Sequence, residues 1–393
     1  NMLSQSSTSS SAAAAKKAWY VASKAAASAA NAEGIGGNIG GGSSKIEVPG
    51  QYAPNTSEWA AVRPAPELHT KLVKFVPRID ILRRNDQLVR RIGVVGSDGR
   101  TYQFLLQFAV PYMTRNDERT AQVLYLLDKV IRKHTVTACA HLSLDSQPVI
   151  PVAQRLRLCL EPHGRSSLED EYKRHCDSMQ VDPTTLSSRF RSEMKVIASQ
   201  VRDLDKEERS AKEVSERCKL FKRISECEGA ESNFLLLQIQ RRLGSFEDVY
   251  LFRRVFARQW GMNCLLQYAF SAMERTPSRV CFTEESGRVL SPDFRVAYSN
   301  HGHVENQVVP FRITPNIVNL IGFSVFDEAF ISTIGRLALA HKGSRPEIDP
   351  IFRLLMRDDL ISFYSKSNAK PDAEHKDMEK QLLDRVSQNV ESL

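Results

Sequence analysis

A two-lobed α+β fold, with a small β-rich N-terminal lobe carrying one inserted helix and a large, mostly helical C-terminal lobe, is predicted by three features of the sequence. Alternating and β-branched apolar runs broken by turn chemistry fill much of the stretch before residue 165. Helical periodicity dominates after Ser167, and a single loop-and-strand interval, Val280 to Tyr298, interrupts it. With 393 residues, 42% hydrophobic and 25% charged, the chain carries enough apolar material for a sizeable core, which excludes a wholly disordered or collagen-like chain.

The first fifty residues stand apart. They contain 12 Ala, 10 Ser and 7 Gly, small residues that bury little apolar surface per unit of ordering entropy, so residues 1–50 read as a flexible leader. Within it, Ala12 to Ala32 has the composition of one helix, ended by Gly34, Gly36 and Gly37. The small lobe is expected over 51–165. Ile79 to Arg84, Leu88 to Gly96 and Arg100 to Phe108 read as strands, the last two joined by a Ser97-Asp98-Gly99 turn. Asn116 to Lys133 reads as the inserted helix, with acids first, bases last, and Val123, Leu126, Leu127 and Val130 on one face. Ala138 to Leu144 and Pro148 to Leu160 complete an expected set of five strands.

The large lobe is expected over 166–393. Its helices are predicted at 168–176, 190–204, 206–224, 232–243, 246–273, 325–340, 350–365 and 374–390, with short strands at 280–282, 288–290 and 296–298. The excess of 54 Lys+Arg over 46 Asp+Glu leaves +8, too small for this length to argue for nucleic acid. No apolar run approaches the roughly 18 residues of a membrane helix. The seven Cys are scattered without a CxxC, which suits a reducing compartment without disulfide framework or structural zinc.

A β-rich small lobe, a helical large lobe and a loop-and-strand insert where they meet is the plan of a protein kinase. Read residue by residue, the sequence resembles the phosphatidylinositol-kinase-related protein kinase family. Members read GSxG-x-x-[YF]-x-FLLK across the glycine-rich loop and its lysine strand; here Gly96-Ser97-Asp98-Gly99 leads without a gap to Tyr102 and Phe104-Leu105-Leu106-Gln107. The family's DERxxQ helix is matched by Asp117-Glu118-Arg119-Thr120-Ala121-Gln122. Its GDRHxxN loop corresponds to Met273-Glu274-Arg275-Thr276-Pro277-Ser278-Arg279 and its DFG to Asp293-Phe294-Arg295, with Glu274 and Asp293 19 residues apart, the family's own spacing. The resemblance runs over about residues 45–390.

Phosphoryl transfer needs a lysine on the phosphates, two metal ions held by an Asp and an Asn, and a positioned base. The resemblance therefore implies a dismantled site. Gln107 stands for the lysine, so the phosphate-gripping cation and its ion pair with the helix acid, Asp117 by position, are gone. Arg279 stands for the metal-binding Asn; a unit charge about 4 Å from a divalent ion costs about 8 kcal/mol at an effective dielectric of about 20. Glu274 replaces the catalytic Asp, and its extra methylene displaces the carboxylate by about 1 Å. Thr276 replaces the loop His and Arg295 the final Gly of DFG. Asp293 alone is intact as a metal ligand, beside the vestigial loop of Gly96, Ser97 and Gly99.

This pattern resembles the pseudokinase branch of the family, the large scaffolds of histone acetyltransferase complexes, as do Ile46 to Tyr52, Val309 to Ile317 and Leu355 to Ile361. The resemblance implies a nuclear coactivator domain without catalysis, cofactor or metal, whose partners are acetyltransferase-complex proteins and transcriptional activators, with no direct nucleic-acid contact and no membrane segment. It also implies a fragment, cut upstream and before a terminal helical segment. The alternative is an active or residually active Ser/Thr protein kinase, which the fold alone suggests; direct DNA binding through the basic excess is a third, weaker idea. Other features carry bland readings. The Asp203 to Arg223 helix mixes signs like a solvated face. The Arg pairs at 83–84, 90–91, 241–242 and 253–254 read as surface bases, and His301-Gly302-His303 as a loop.

Overall fold

Strand β1 (Leu72–Arg84) pairs with β2 (Gln87–Gly96) and β2 with β3 (Thr101–Phe108), and a second hairpin, β4 (Val149–Ala153) and β5 (Leu156–Glu161), completes a five-stranded sheet in the order β1-β2-β3-β5-β4. The computed structural model describes residues 46–51, 66–84, 87–108, 116–144, 146–153, 156–200, 206–227, 229–271, 276–290 and 311–366, with 380–381, 383–385 and 388–389. The 12–32 helix, the 296–298 strand and the His301-Gly302-His303 segment lie outside these residues, as does most of the 374–390 helix.

The chain divides into two compact units. The smaller holds residues up to Asp80 together with Arg91–Phe104. Here Glu47 bridges Lys71 in an antiparallel contact, and its carboxylate also meets His69 Nδ1 at 2.9 Å and Lys71 Nζ at 3.0 Å. Gly93 lets β2 lie close to Val76, because a Cβ there would come within 2.8 Å of that side chain.

The larger unit holds Ile81–Arg90 and the chain from Leu105 onward. It opens with the inserted helix, α1 (Asn116–Lys133), where it was expected. The run Ala138 to Leu144 is not a strand. A one-turn helix, α2 (Thr135–Ala138), ends there, His141 takes a left-handed φ of 51°, and Leu142 drops into a core with Ile131, Met262, Leu265 and Leu337. The Thr137 hydroxyl explains the change: it bonds the carbonyls of Ile131 and His134, the local side-chain-to-backbone bonding that competes with a strand ladder. The fourth and fifth strands both come from the single run 148–160, folded back so that Val149 faces Cys159 and Pro151 faces Arg157.

A three-stranded sheet, β6 (Arg165–Ser167), β7 (Cys281–Thr283) and β8 (Val289–Leu290), frames the start of the helical part. Helix α3 (Leu168–Met179) begins with a capping box: the Ser167 hydroxyl accepts from the Asp170 amide, and Asp170 accepts from the Ser167 amide, both at 3.1 Å. Then come α4 (Thr185–Gln200), α5 (Lys206–Ser225), α6 (Phe234–Leu243) and α7 (Phe246–Ala269). The second half of α7, from Phe256 to Ala269, is buried on nearly every side, as the end of a central helix should be. Phe252, Phe256 and Trp260 stack along it, with Phe282 edge-on to the first two. The Trp260 indole N–H donates to the Arg312 carbonyl at 3.2 Å.

Helix α8 (Pro315–Ile321), not anticipated as a helix, starts on a proline at its first position, where the missing N–H costs nothing. The expected 325–340 helix is a short turn Phe323–Val325, a π-helical turn Phe326–Ile331 and α9 (Ser332–Gly343). The π turn faces Gly261 of α7, whose Cβ would stand 3.0 Å from the Phe330 carbonyl oxygen. Helix α10 (Arg345–Lys366) begins five residues before the expected start and carries Pro350 inside it. It closes on α1 through Val123, Leu124, Leu127 and Val130 against Ile348, Ile351, Phe352 and Met356.

Among the described residues no single helix is long and apolar enough to cross a membrane. The seven cysteines form no disulfide.

Candidate functional site

In the smaller unit, the Gly96 to Gly99 segment is a tight turn whose amides are taken up by the turn itself and by the carbonyl of Lys71. Gly96 N–H donates to Arg100 O (2.9 Å), Ser97 N–H to Lys71 O (2.7 Å) and Gly99 N–H to Gly96 O (3.0 Å). The Arg100 amide donates to Asp98 Oδ1 at 3.1 Å, and the Ser97 hydroxyl accepts from the Lys71 amide at 2.9 Å. A phosphate-cradling loop works by aiming free N–H groups at the anion, and four of these point inward. Glycine is required twice over. Gly99 sits at φ +76°, and a Cβ on Gly96 would come within 2.6 Å of Asp98 Oδ1.

Asp98 also sets the charge of this turn. Its Oδ2 accepts from the Tyr102 hydroxyl at 2.7 Å, and that bond, foremost among its partners, holds the carboxyl below the ordinary range. Tyr102 is raised in turn, first by desolvation and then by the same bond. An ionised carboxylate in the loop repels a polyphosphate.

In the larger unit, Gln107 ends β3 with its side chain half-buried. Its Oε1 accepts from Arg157 Nε on β5 at 2.8 Å. The place of the expected lysine is thus a neutral amide locked to a neighbouring guanidinium. Sequence reasoning missed Arg157. The available signal was the alternation Leu156-Arg157-Leu158, which in a strand turns the arginine to the face opposite the two leucines.

The loop that should carry the base and a metal ligand is described from Thr276 onward. Thr276-Pro277-Ser278-Arg279 is a β-turn with Pro at its second position, closed by Arg279 N–H to Thr276 O at 3.0 Å. Its carbonyls are tied to the start of α3: Pro277 O accepts from the Glu169 amide (3.3 Å) and Val280 O from the Leu168 amide (3.0 Å). The Thr276 hydroxyl meets that of Ser278 at 3.0 Å, so no titratable proton carrier stands there. Glu274, Asp293 and Arg295 lie outside the described residues, as does the side chain of Asp117.

Sequence reasoning also missed a buried charge cluster beneath this loop. Glu171 on α3 is fully buried, with Oε1 2.8 Å from Arg174 and Oε2 3.0 Å from Arg242, one of the arginines read as a surface base. Arg174 continues to Glu284 at 2.8 Å. Arg253 is corrected likewise: it donates to Leu320 O (2.5 Å) and Asn319 O (3.2 Å), a cation capping the C-terminal carbonyls of α8. Among the described residues no three His, Cys, Asp or Glu side chains are placed to hold a metal ion.

Taken unit by unit, the residues depart from what phosphate binding needs: in the smaller unit the turn amides are already hydrogen-bonded and an acid sits among them, and in the larger unit the position expected to hold a lysine is a neutral amide and the one expected to hold an asparagine is an arginine.

The family described as phosphatidylinositol 3- and 4-kinase matches residues 104–365. The SAGA complex/NuA4 acetyltransferase complex subunit TRA1 of Saccharomyces cerevisiae is 26% identical over 366 residues, 88% of this chain and 9% of that protein. The human transformation/transcription domain-associated protein is 23% identical over 84% of this chain and 8% of its own length. The DNA-dependent protein kinase catalytic subunit of Gallus gallus is 24% identical over 71% of this chain. The chain thus spans less than a tenth of these relatives. In a solved structure described as a complete CtTel1 dimer with C2 symmetry, the same fold recurs at TM-score 0.61 and 16% identity, over 84% of this chain and 12% of that one.

Proposed function

The chain belongs to the phosphatidylinositol 3- and 4-kinase family, and from that premise we propose that it is a catalytically inactive, kinase-like domain of a nuclear transcriptional coactivator scaffold that recruits histone acetyltransferase complexes to activators. The Gln107–Arg157 bond is the observation that carries the loss of catalysis. A phosphate-binding lysine is a free, compact cation that can turn toward its ligand; here the position is neutral, and the cation beside it, Arg157, is already committed to it. The spent amides of the Gly96 to Gly99 turn and the Thr276 to Arg279 turn support the same reading.

The scaffold role is supported by the names of the yeast and human relatives, a subunit of two acetyltransferase complexes and a transcription-associated protein. On this reading the domain is a leader over 1–50, a small lobe over 51–165 and a large lobe over 166–393. It takes no cofactor or metal. Its partners are acetyltransferase-complex proteins and activators, without direct contact to nucleic acid.

A residually active Ser/Thr kinase is the second reading. Asp293, retained in sequence, and the likeness to a DNA-dependent protein kinase catalytic subunit favour it. Incubating the purified chain with labelled ATP, magnesium and manganese decides between the two. No transfer is expected; metal-dependent transfer that disappears in Asp293→Ala would overturn the first reading.

A further inference from the structure

Strand β1 lies at the edge of its sheet with β2 as its neighbour, and among the described residues its outer edge is met only at its start. There Leu72 N–H donates to Ile46 O at 2.8 Å and Val48 N–H to Thr70 O at 3.0 Å, around the antiparallel bridge between Glu47 and Lys71. Lys71 O instead accepts from Ser97, which directly follows β2. Even-numbered residues of β1 therefore aim their N–H and C=O groups outward, and Lys74, Val76, Arg78 and Asp80 continue that open row. Val73, Phe75 and Ile79 share one face of the strand and stay 58%, 50% and 43% exposed. An edge this long and apolar is a template for another strand.

We propose that residues 39–45 of this chain are that strand, continuing antiparallel along β1 from the pairing already made at Ile46. Continuity selects this occupant. The chain arrives at Ile46 hydrogen-bonded to Leu72 and running opposite to β1, so the residues just before it are delivered along the open edge. The tether holds them there at an effective concentration of about millimolar, which a separate chain must exceed. Extending the Glu47 to Lys71 register by twos sets Lys45 opposite Val73, Ser43 opposite Phe75, Gly41 opposite Pro77 and Ile39 opposite Ile79. Ile39 then adds to the apolar face, and Gly41, diagonal to Phe75, gives the ring room to lie across the new strand, as an aromatic covers an edge glycine. Ser44, Gly42 and Gly40 bring N–H groups to the carbonyls of Lys74, Val76 and Arg78. Pro77, the one β1 residue without an N–H, stands at an inward position and leaves the outer row unbroken. Residues 39–45 thereby belong to the sheet rather than to the leader.

Hydrogen exchange of the 393-residue chain, read by mass spectrometry over Leu72 to Asp80, tests the proposal. The outward amides of Lys74, Val76 and Arg78 should be protected equally at every protein concentration. Gly42→Pro removes an N–H aimed at Val76 and should speed their exchange about tenfold, whereas Gly41→Pro, whose missing N–H would face solvent, should change it less than about twofold. Oxidation reads the register separately. Ile39→Cys with Ile79→Cys should form a disulfide, since opposed non-hydrogen-bonded positions stand about 4.5 Å apart at Cα, and Ile39→Cys with Val73→Cys should not. Protection that rises with protein concentration would assign the edge to a second copy. That result, unprotected outward amides, equal effects of the two prolines, or a 39–73 disulfide forming as readily as 39–79 would each overturn the proposal.

Discussion

Gln107 Oε1 accepts a hydrogen bond from Arg157 Nε at 2.8 Å, and this contact ties the end of β3 to β5. The consequence is that lysine can no longer simply be put back. Two unit charges about 4 Å apart repel by about 4 kcal/mol at an effective dielectric of about 20, and screening at this half-buried site reduces that to about 1–2 kcal/mol. Gln107→Lys is therefore expected to lower the melting temperature by several degrees without conferring ATP binding, whereas Gln107→Glu, which keeps an acceptor for Arg157, leaves it nearly unchanged. Differential scanning fluorimetry of both variants checks this.

Glu171 is fully buried between Arg174 and Arg242. Removing it leaves two guanidinium groups without their shared carboxylate, of which Arg242 is the more deeply buried. Glu171→Ala should cost about 3 kcal/mol, at the lower end for a broken buried pair because Arg174 keeps Glu284. Urea denaturation gives the value; a loss under about 1 kcal/mol would show that the cluster contributes little.

Two glycines give opposite expectations for one substitution. Gly261→Ala would press a methyl to 3.0 Å from the Phe330 carbonyl oxygen of the π turn, and overpacking of this kind costs about 1–3 kcal/mol. Gly335, on α9, has nothing within 4 Å of the point where a Cβ would stand, so Gly335→Ala should stabilise by about 0.5–1 kcal/mol through helix propensity. Chemical denaturation of the pair, measured together, checks the helix packing.

His341 borders a cavity of about 30 Å³ walled by Leu127, Leu337 and Ile348. Desolvation lowers its pKa from the ordinary 6.5, with Asp349 opposing and Arg345 adding smaller effects. The unfolded chain therefore binds the proton more readily than the folded one. Its contribution to stability is complete above about pH 6.5 and is lost as pH falls through the folded value. Stability should decline below that pH, and His341→Leu should remove this part of the decline. Thermal melts between about pH 5 and pH 8 test it.

Much of the fold was legible because long helices repeat their apolar residues over several turns. Helix α1 was read to its terminal residues, and α3, α5 and α7 at their first residues. What failed was local. The Ala138 to Leu144 run looked like a strand until the Thr137 hydroxyl and the left-handed His141 turned it back. A single 325–340 helix concealed a π turn, which exists because Gly261 on a distant helix gives it room. At the candidate site, motif register singled out Gln107 as the position expected to hold a lysine, but it gave no sign of the residue's partner. Arg157 lies 50 residues away, and only strand pairing brings the two together. Glu171 and Arg242 were hidden for the same reason, since a charged side chain in sequence reads as surface until its partner is placed.

The central claim is that this kinase-like chain does not take up nucleotide. Its most direct measurement is the melting temperature of the full chain titrated with ATP, with and without magnesium. No shift is expected at millimolar ATP in either condition; a magnesium-dependent rise of several degrees, as a ligand binding only the folded state would produce, would contradict it.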